Sequence, residues 1–304
     1  MTLRIGTRRS RLALAQAEEV RASLAAIGVG AEVVPMSTAG DRGEVDAPAT
    51  AAAVGGAIAA GLKGAWVNDI VRALREAEVD VAVHSAKDLP AEDGEDVVIA
   101  AVPPRASALD VLVSRGGELA KGARVGTSSL RRQAQVWRWR PDVVVKDIRG
   151  NVDTRLRKLE TGDVDGLILA AAGLLRLGIV PEHTQPMSLA EMVPAPGQGA
   201  LAVQTRADDT RDVMAALDHV ESRTALQAER RLTVLLGGGC ALPLGAFASV
   251  EDGRIRLIGM VASADGAEVI RAEAESASAF EAADRVADEL RARGADRILA
   301  AVRP

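Results

Sequence analysis

The stretch Arg124-Val125-Gly126-Thr127-Ser128-Ser129-Leu130-Arg131-Arg132-Gln133 decides the fold. A short apolar strand, Arg124 to Gly126, passes through three small hydroxyl residues into a helical pattern that continues to Arg140. A strand that hands over to a helix in so few residues is the repeating unit of a layered α/β protein. The same rhythm extends toward the N-terminus. Thr2 to Gly6 read as a strand and Arg11 to Ile27 as a helix stopped by Gly28; Glu32 to Thr38 read as a strand, Trp66 to Glu78 as an amphipathic helix, and Val79 to His84 as a buried strand opening into Ser85-Ala86-Lys87-Asp88. It also extends toward the C-terminus, through strands at Leu109 to Val113, Val143 to Ile148 and Val164 to Ala170 and helices at Val152 to Glu160 and Ala171 to Leu177.

Pro194, Pro196 and Gly197 then punctuate the chain before the strand Ala200 to Gln204, which is expected to return to the first sheet. From about Asp218 the order changes to a long helix, a Gly237-Gly238-Gly239-Cys240 turn, three strands with an Asp265-Gly266 hairpin turn, and a helix from Phe280 to Arg293. The expected organisation is a discontinuous α/β domain (1–100 and 195–216), a second α/β domain (104–194) and a small α+β domain (217–304). Residues Gly43 to Gly64 are rich in Ala and Gly and read either as a lid over a site or as an Ala-rich helix interrupted by glycines.

Composition narrows the function. The chain has 304 residues, 48% of them apolar, yet only three Trp, two Phe and no Tyr, so its core is built from Ala, Val, Leu and Ile. The net charge of −5 excludes a general nucleic-acid binder, which needs a surplus of Lys and Arg on one face. No apolar run approaches a membrane span, and Met1 to Ser10 carry arginines without an apolar segment behind them, which predicts a soluble, non-secreted protein. The single cysteine, Cys240, and three scattered histidines are too few for a structural zinc site, and no metal is expected.

Arginines recur where strands hand over to helices: Arg8 and Arg9 before the first helix, Arg131 and Arg132 after Thr127-Ser128-Ser129, and Arg149 and Arg155 around Gly150-Asn151. Ligands of open α/β sheets collect at the carboxyl ends of strands, where helix N-termini favour anions and guanidinium groups add bidentate recognition. One such junction reads equally as solvated surface; three together point to an anion site. Arg138, Arg140, Arg157 and Arg176 read as charged helical faces. Lys87 and Asp88 follow a buried strand, where an acid either stabilises a developing cation or caps the next turn. Cys240 follows three glycines and reads as a presented thiol or as a small buried hydrophobe, and His84 packs at the end of its strand.

Six segments in order carry a resemblance across essentially the whole chain. They are Ile5-Gly6-Thr7-Arg8-Arg9-Ser10 through Leu14-Ala15-Gln16, Val83-His84-Ser85-Ala86-Lys87-Asp88-Leu89-Pro90, Val125 to Gln133, Ile148-Arg149-Gly150-Asn151-Val152-Asp153-Thr154-Arg155, Pro194-Ala195-Pro196-Gly197-Gln198-Gly199-Ala200 and Gly238-Gly239-Cys240. The sequence resembles the porphobilinogen deaminase (hydroxymethylbilane synthase) family. The resemblance implies two domains like type II periplasmic binding proteins with a cleft between them, and a third domain carrying the cysteine. It implies a dipyrromethane cofactor held on Cys240 through a thioether, Asp88 as the catalytic acid, and cofactor or substrate binding by Arg8, Ser10, Lys63, Trp66, Lys87, Thr127, Ser128, Ser129, Arg131, Arg132, Arg149, Arg155 and Gln198. It further implies a cytoplasmic, monomeric transferase of porphyrin and heme biosynthesis that joins four porphobilinogen molecules and passes its product to a uroporphyrinogen III synthase.

The sequence also departs from that pattern. No lysine stands between Gly43 and Leu62, and Gly237 occupies the place of an acid before Gly238-Gly239-Cys240. Two other readings compete, because fold alone does not fix function. A small-anion binding module would need no thiol in its cleft, and a thiol hydrolase would need Cys240 in contact with a base such as His84.

Overall fold

The computed structural model describes residues 2–38, 67–92, 94, 96–208, 210–237 and 242–302. Through them run strands β1 (Leu3–Arg8), β2 (Ala31–Met36), β3 (Val81–Ser85), β4 (Val97–Ala101), β5 (Asp110–Ser114), β6 (Arg124–Gly126), β7 (Val144–Lys146), β8 (Gly166–Ala170), β9 (Thr184–Pro186), β10 (Leu201–Arg206), β11 (Leu244–Glu251), β12 (Arg254–Ala262) and β13 (Val269–Ser276). They form two five-stranded sheets, β2-β1-β3-β10-β4 and β7-β6-β8-β5-β9, and a three-stranded sheet, β11-β12-β13. The expected α/β class with a smaller α+β unit is what the chain adopts. The candidate lid at 43–64 lies outside the described residues.

The two large sheets follow one plan. In each, a central strand pairs in parallel with two neighbours, β1 with β2 and β3, β6 with β7 and β8. In each, the strand arriving from the other lobe runs antiparallel: β10 against β3 and β4, β5 against β8 and β9. The first lobe is therefore completed only by chain that has already passed through the second.

The plan extends to side chains. Arg4, at the start of β1, donates from N and Nε to Asp80 Oδ2 at 2.9 and 3.0 Å and from Nη2 to Oδ1 at 2.9 Å. Arg124, at the start of β6, makes the matching three bonds to Asp165 at 2.9, 3.0 and 2.8 Å. Each staple ties the central strand of a lobe to the residue leading into one of its parallel neighbours.

Apolar spacing explains the helices. In the Arg11–Ala26 helix, Ala13, Ala17, Val20 and Leu24 recur on one buried face, and Ser10 caps the start by accepting from Ala13 N–H at 3.3 Å. In the third domain, Ile255, Leu257 and Val261 of β12 face the core under the Val220–Leu235 and Ala279–Ala292 helices. Ile258, Met260 and Ala262, on the opposite face by the period of two, pack against Ala134 and Val193 of the second lobe. This sheet is apolar on both faces because helices cover one and a neighbouring domain covers the other.

The crossover segments 102–109 and 187–200 meet at glycines. A side chain on Gly199, whose φ is +85°, would place its Cβ 2.5 Å from the Ala106 carbonyl oxygen. One on Gly197, φ +72°, would meet the Lys87 backbone nitrogen at 2.9 Å. The crossovers therefore press against one another, and the returning one presses against the turn that carries Lys87 and Asp88.

Candidate active site

The carboxyl ends of β1, β3 and β8, with the first turns of the helices at Arg11, Val152 and Ala171, enclose an interlobe cavity of about 260 Å³. This is where an open α/β sheet collects ligands. Arg8 ends β1, and Lys87 and Asp88 lie in a single 3₁₀ turn directly after β3. Arg132, Arg155 and Arg176 enter from the second lobe. Five cationic side chains thus line the cavity against one acid, Asp88, among the described residues.

Each cation is held by neighbouring structure. Arg155 donates from Nε to the Gly150 carbonyl at 2.7 Å; burial, with repulsion from Arg132, pulls its guanidinium down to about 10 against the opposing pull of Asp147. Arg176 pairs with Glu19 at 2.8 Å and donates from Nη2 to the Gly199 carbonyl at 3.2 Å, its side chain only 5% exposed. Its reading as part of a charged surface face is therefore corrected: the short Ala171–Arg176 helix turns its last residue into the cleft. Gln16, a polar residue on the buried face of the first helix, also lines the cavity. His84 lines it as well and is buried, with no hydrogen-bond partner for Nε2 among the described residues; burial pushes its imidazole down to about 4 despite the nearby Asp88 carboxylate.

Lys87 also lines a smaller cavity of about 100 Å³ where the third domain meets both lobes. Ser129, Arg131, Pro196, Leu242 and Leu244 complete much of its wall. Cys240, Lys63 and Trp66 lie outside the described residues, but Leu242, two residues beyond the cysteine in sequence, lies at this cavity.

The predicted residues separate into groups. Arg8, Ser10, Lys87, Asp88, Arg132 and Arg155 share the larger cavity, and Ser129 and Arg131 line the smaller one. Thr127 is buried in the turn after β6, where its Oγ1 accepts from Ser129 N–H at 3.2 Å, and Ser128 is half-buried beside it. Arg149 is exposed, pairs with Asp147 at 3.2 Å and lines neither cavity. Gln198 is buried and donates to Ala108 O and Asp110 Oδ1 at 2.7 and 2.9 Å. Asp110 was not singled out from the sequence. Its carboxyl is pushed up by burial, but Arg131 and Arg132 outweigh this and hold it at about 2.

Fold and cleft together define a two-lobed α/β protein with a cationic site between its lobes. A family model described as "Porphobilinogen deaminase, dipyromethane cofactor binding domain" matches residues 3–213, and one described as "Porphobilinogen deaminase, C-terminal domain" matches residues 224–292. A porphobilinogen deaminase of Syntrophotalea carbinolica is 43% identical over 310 aligned residues, covering 99% of this chain and 96% of that protein. One from Shouchella clausii is 45% identical, covering 98% and 96%. Among solved structures, a periplasmic substrate-binding protein of an ABC transporter from Coxiella burnetii is similar over 71% of this chain and 91% of its own, at 14% identity and a TM-score of 0.42. The chain belongs to the porphobilinogen deaminase family.

Proposed function

We propose that this chain is the transferase that deaminates porphobilinogen and joins four units into hydroxymethylbilane, with Cys240 carrying a dipyrromethane primer through a thioether. The observation that carries the reading is the cleft itself: Arg8, Lys87, Arg132, Arg155 and Arg176 around Asp88, the one acid lining it among the described residues. Each pyrrole unit bears an acetate and a propionate, so a primer and its substrate bring several carboxylates together and need fixed cations to hold them. The donor set therefore fits the dipyrromethane group. When bound, that group supplies the free pyrrole α-carbon to which a substrate unit is joined.

The chain's own residues do the rest. Arg8, Arg132 and Arg155 hold side-chain carboxylates, with Ser10 and Gln16 adding hydrogen bonds. Asp88 stabilises positive charge on the pyrrole nitrogens as the aminomethyl group leaves as ammonia, and its carboxylate accepts and returns the proton moved at each addition. His84, neutral because it is buried, adds no charge beside Asp88. The lobes are assigned to residues 1–100 with 195–216 and to 104–194, and the cofactor-bearing domain to 217–304. No helix among the described residues is long and apolar enough to cross a membrane. A cysteine that must be a free thiol when the primer attaches suits a reducing compartment, which supports a cytoplasmic location; the monomeric state and the delivery of product to a uroporphyrinogen III synthase are proposed from family membership alone.

Intact mass of the purified protein beside Cys240→Ala tests the reading. An added mass equal to two porphobilinogen units less two ammonia molecules is expected in the parent alone. A parent that stays unmodified even after incubation with porphobilinogen would leave a protein that only binds anions.

A further inference from the structure

Asp110 opens β5, the strand with which the chain enters the second lobe, and it is fully buried. A carboxylate removed from water in this way must be matched by cations and hydrogen bonds. Two consecutive residues of one helix supply the cations. Arg131 Nη1 stands 2.8 Å from Oδ2, and Arg132 donates from Nη2 and Nε to Oδ1 at 2.7 and 3.1 Å. Gln198, from the returning crossover, donates to the same Oδ1 at 2.9 Å. Each arginine is fixed a second time by a carbonyl, Arg131 by Val193 at 2.5 Å and Arg132 by Ile168 at 3.0 Å.

Consecutive helical residues point about 100° apart, so two neighbouring arginines do not converge on one point by default. Here they converge on Asp110 and still reach different places: Arg131 lines the smaller cavity at the third domain, Arg132 the larger interlobe cavity, and Lys87 lines both. We propose that Asp110 is a positioning residue for the polymerisation site, a single buried carboxylate that fixes Arg131 and Arg132 at the walls of two adjoining cavities. The carboxylates of successive pyrrole units are thereby held in a fixed register on the two sides of Lys87. The inference rests on the proposed reading that these arginines meet ligand carboxylates.

A carboxylate that merely balances charge predicts something different from one that positions, and the two can be separated. Asp110→Asn alone leaves two arginines without a counter-ion and threatens folding. Asp110→Asn combined with Arg131→Gln restores the parent's net charge in the cluster. That double variant is to be compared with Arg131→Gln and Arg132→Gln by thermal midpoint, cofactor load from intact mass, and KM and kcat for porphobilinogen. The expected result is a parental thermal midpoint in the double variant with a KM about tenfold above that of Arg131→Gln, as loss of one well-placed charged hydrogen bond gives. Equal KM and equal load in the two would show that Asp110 only balances charge and would overturn the proposal. Should the double variant not fold, Asp110→Glu keeps the charge and moves the carboxylate by one methylene: a raised KM supports positioning, and an unchanged KM refutes it. If instead Arg131→Gln and Arg132→Gln both keep parental KM and load, it is the underlying reading of the arginines that fails.

Discussion

At the scale of single residues, the cleft sets two neighbouring groups apart by environment. Asp88 is the acid lining the cavity, and replacing it with Asn keeps the shape while removing the charge that offsets a pyrrole cation. Asp88→Asn is expected to retain its cofactor mass while turnover falls by about a hundredfold or more, the range for loss of a positioned acid–base group; undiminished turnover would remove Asp88 from the chemistry. His84 is held neutral by burial, its imidazole at about 4 against an ordinary 6.5. Because the folded value is the lower one, the unfolded chain takes up this proton first. The neutral histidine's contribution is therefore complete above pH 6.5 and shrinks as pH falls toward 4, by about 3 kcal/mol at most. Urea unfolding of the parent and His84→Gln between those pH values checks this: the parent's stability should fall more steeply, and parallel curves would mean that the imidazole titrates alike in the folded and unfolded chain. Arg8, Lys87 and Asp88 were legible as cleft residues because each sits at or just beyond the carboxyl end of a strand, a position that pattern alone reveals. Asp110 was not, because its partners lie 22 and 88 residues away and only the assembled sheet brings them together.

At the scale of elements, the sequence predicted helix starts well where a capping residue precedes an apolar repeat. The Arg11–Ala26 and Val152–Glu160 helices begin where their patterns do. Two strands were missed for different reasons. The run Val97–Ala101 carries the β-branched signal of a strand and lies next to β10; β9, Thr184–Pro186, is short, exposed and ends in proline, and only its pairing with β5 makes it a strand. The repeated Arg-to-Asp staple was also in plain sight, since Arg4-Ile5-Gly6-Thr7 and Arg124-Val125-Gly126-Thr127 share one pattern. The long Val220–Leu235 helix does more than cover the third sheet. Its Glu229, fully buried, pairs with Arg105 of the outgoing crossover at 2.7 Å and accepts from Gly197 N–H of the returning one at 2.6 Å and from Ala248 N–H of β11 at 2.8 Å. Removing one partner of a buried ion pair strands the other, so Glu229→Ala is expected to cost about 3 to 5 kcal/mol in urea unfolding. A loss under about 1 kcal/mol, the worth of an exposed pair, would show that this helix does not anchor the crossovers.

At the scale of the whole molecule, the separate C-terminal sheet was legible from the change in element order near Asp218, but its attachment to both crossovers was not, because it depends on side chains far apart in sequence. Charge shows the same division between sum and site. The chain as a whole carries −5, yet the cavity between its lobes is lined by five cations and one acid among the described residues. These two charges predict opposite responses to salt. If the overall charge governed the capture of an anionic substrate, added salt would screen a repulsion and KM for porphobilinogen would fall. If the cleft governs it, the cations lie within hydrogen-bonding reach of the bound carboxylates, well inside the Debye length of about 8 Å at physiological ionic strength, and salt weakens that attraction. KM is therefore expected to rise several-fold between about 0.05 and about 0.5 M potassium chloride, a range over which the Debye length shrinks to a few ångströms. The change should fall mainly on KM, since binding and not proton transfer is being screened, and steady-state rates across that range decide between the two. A falling KM would mean that these arginines and Lys87 are satisfied by the protein's own carboxylates and carbonyls, with little positive potential left to draw substrate in.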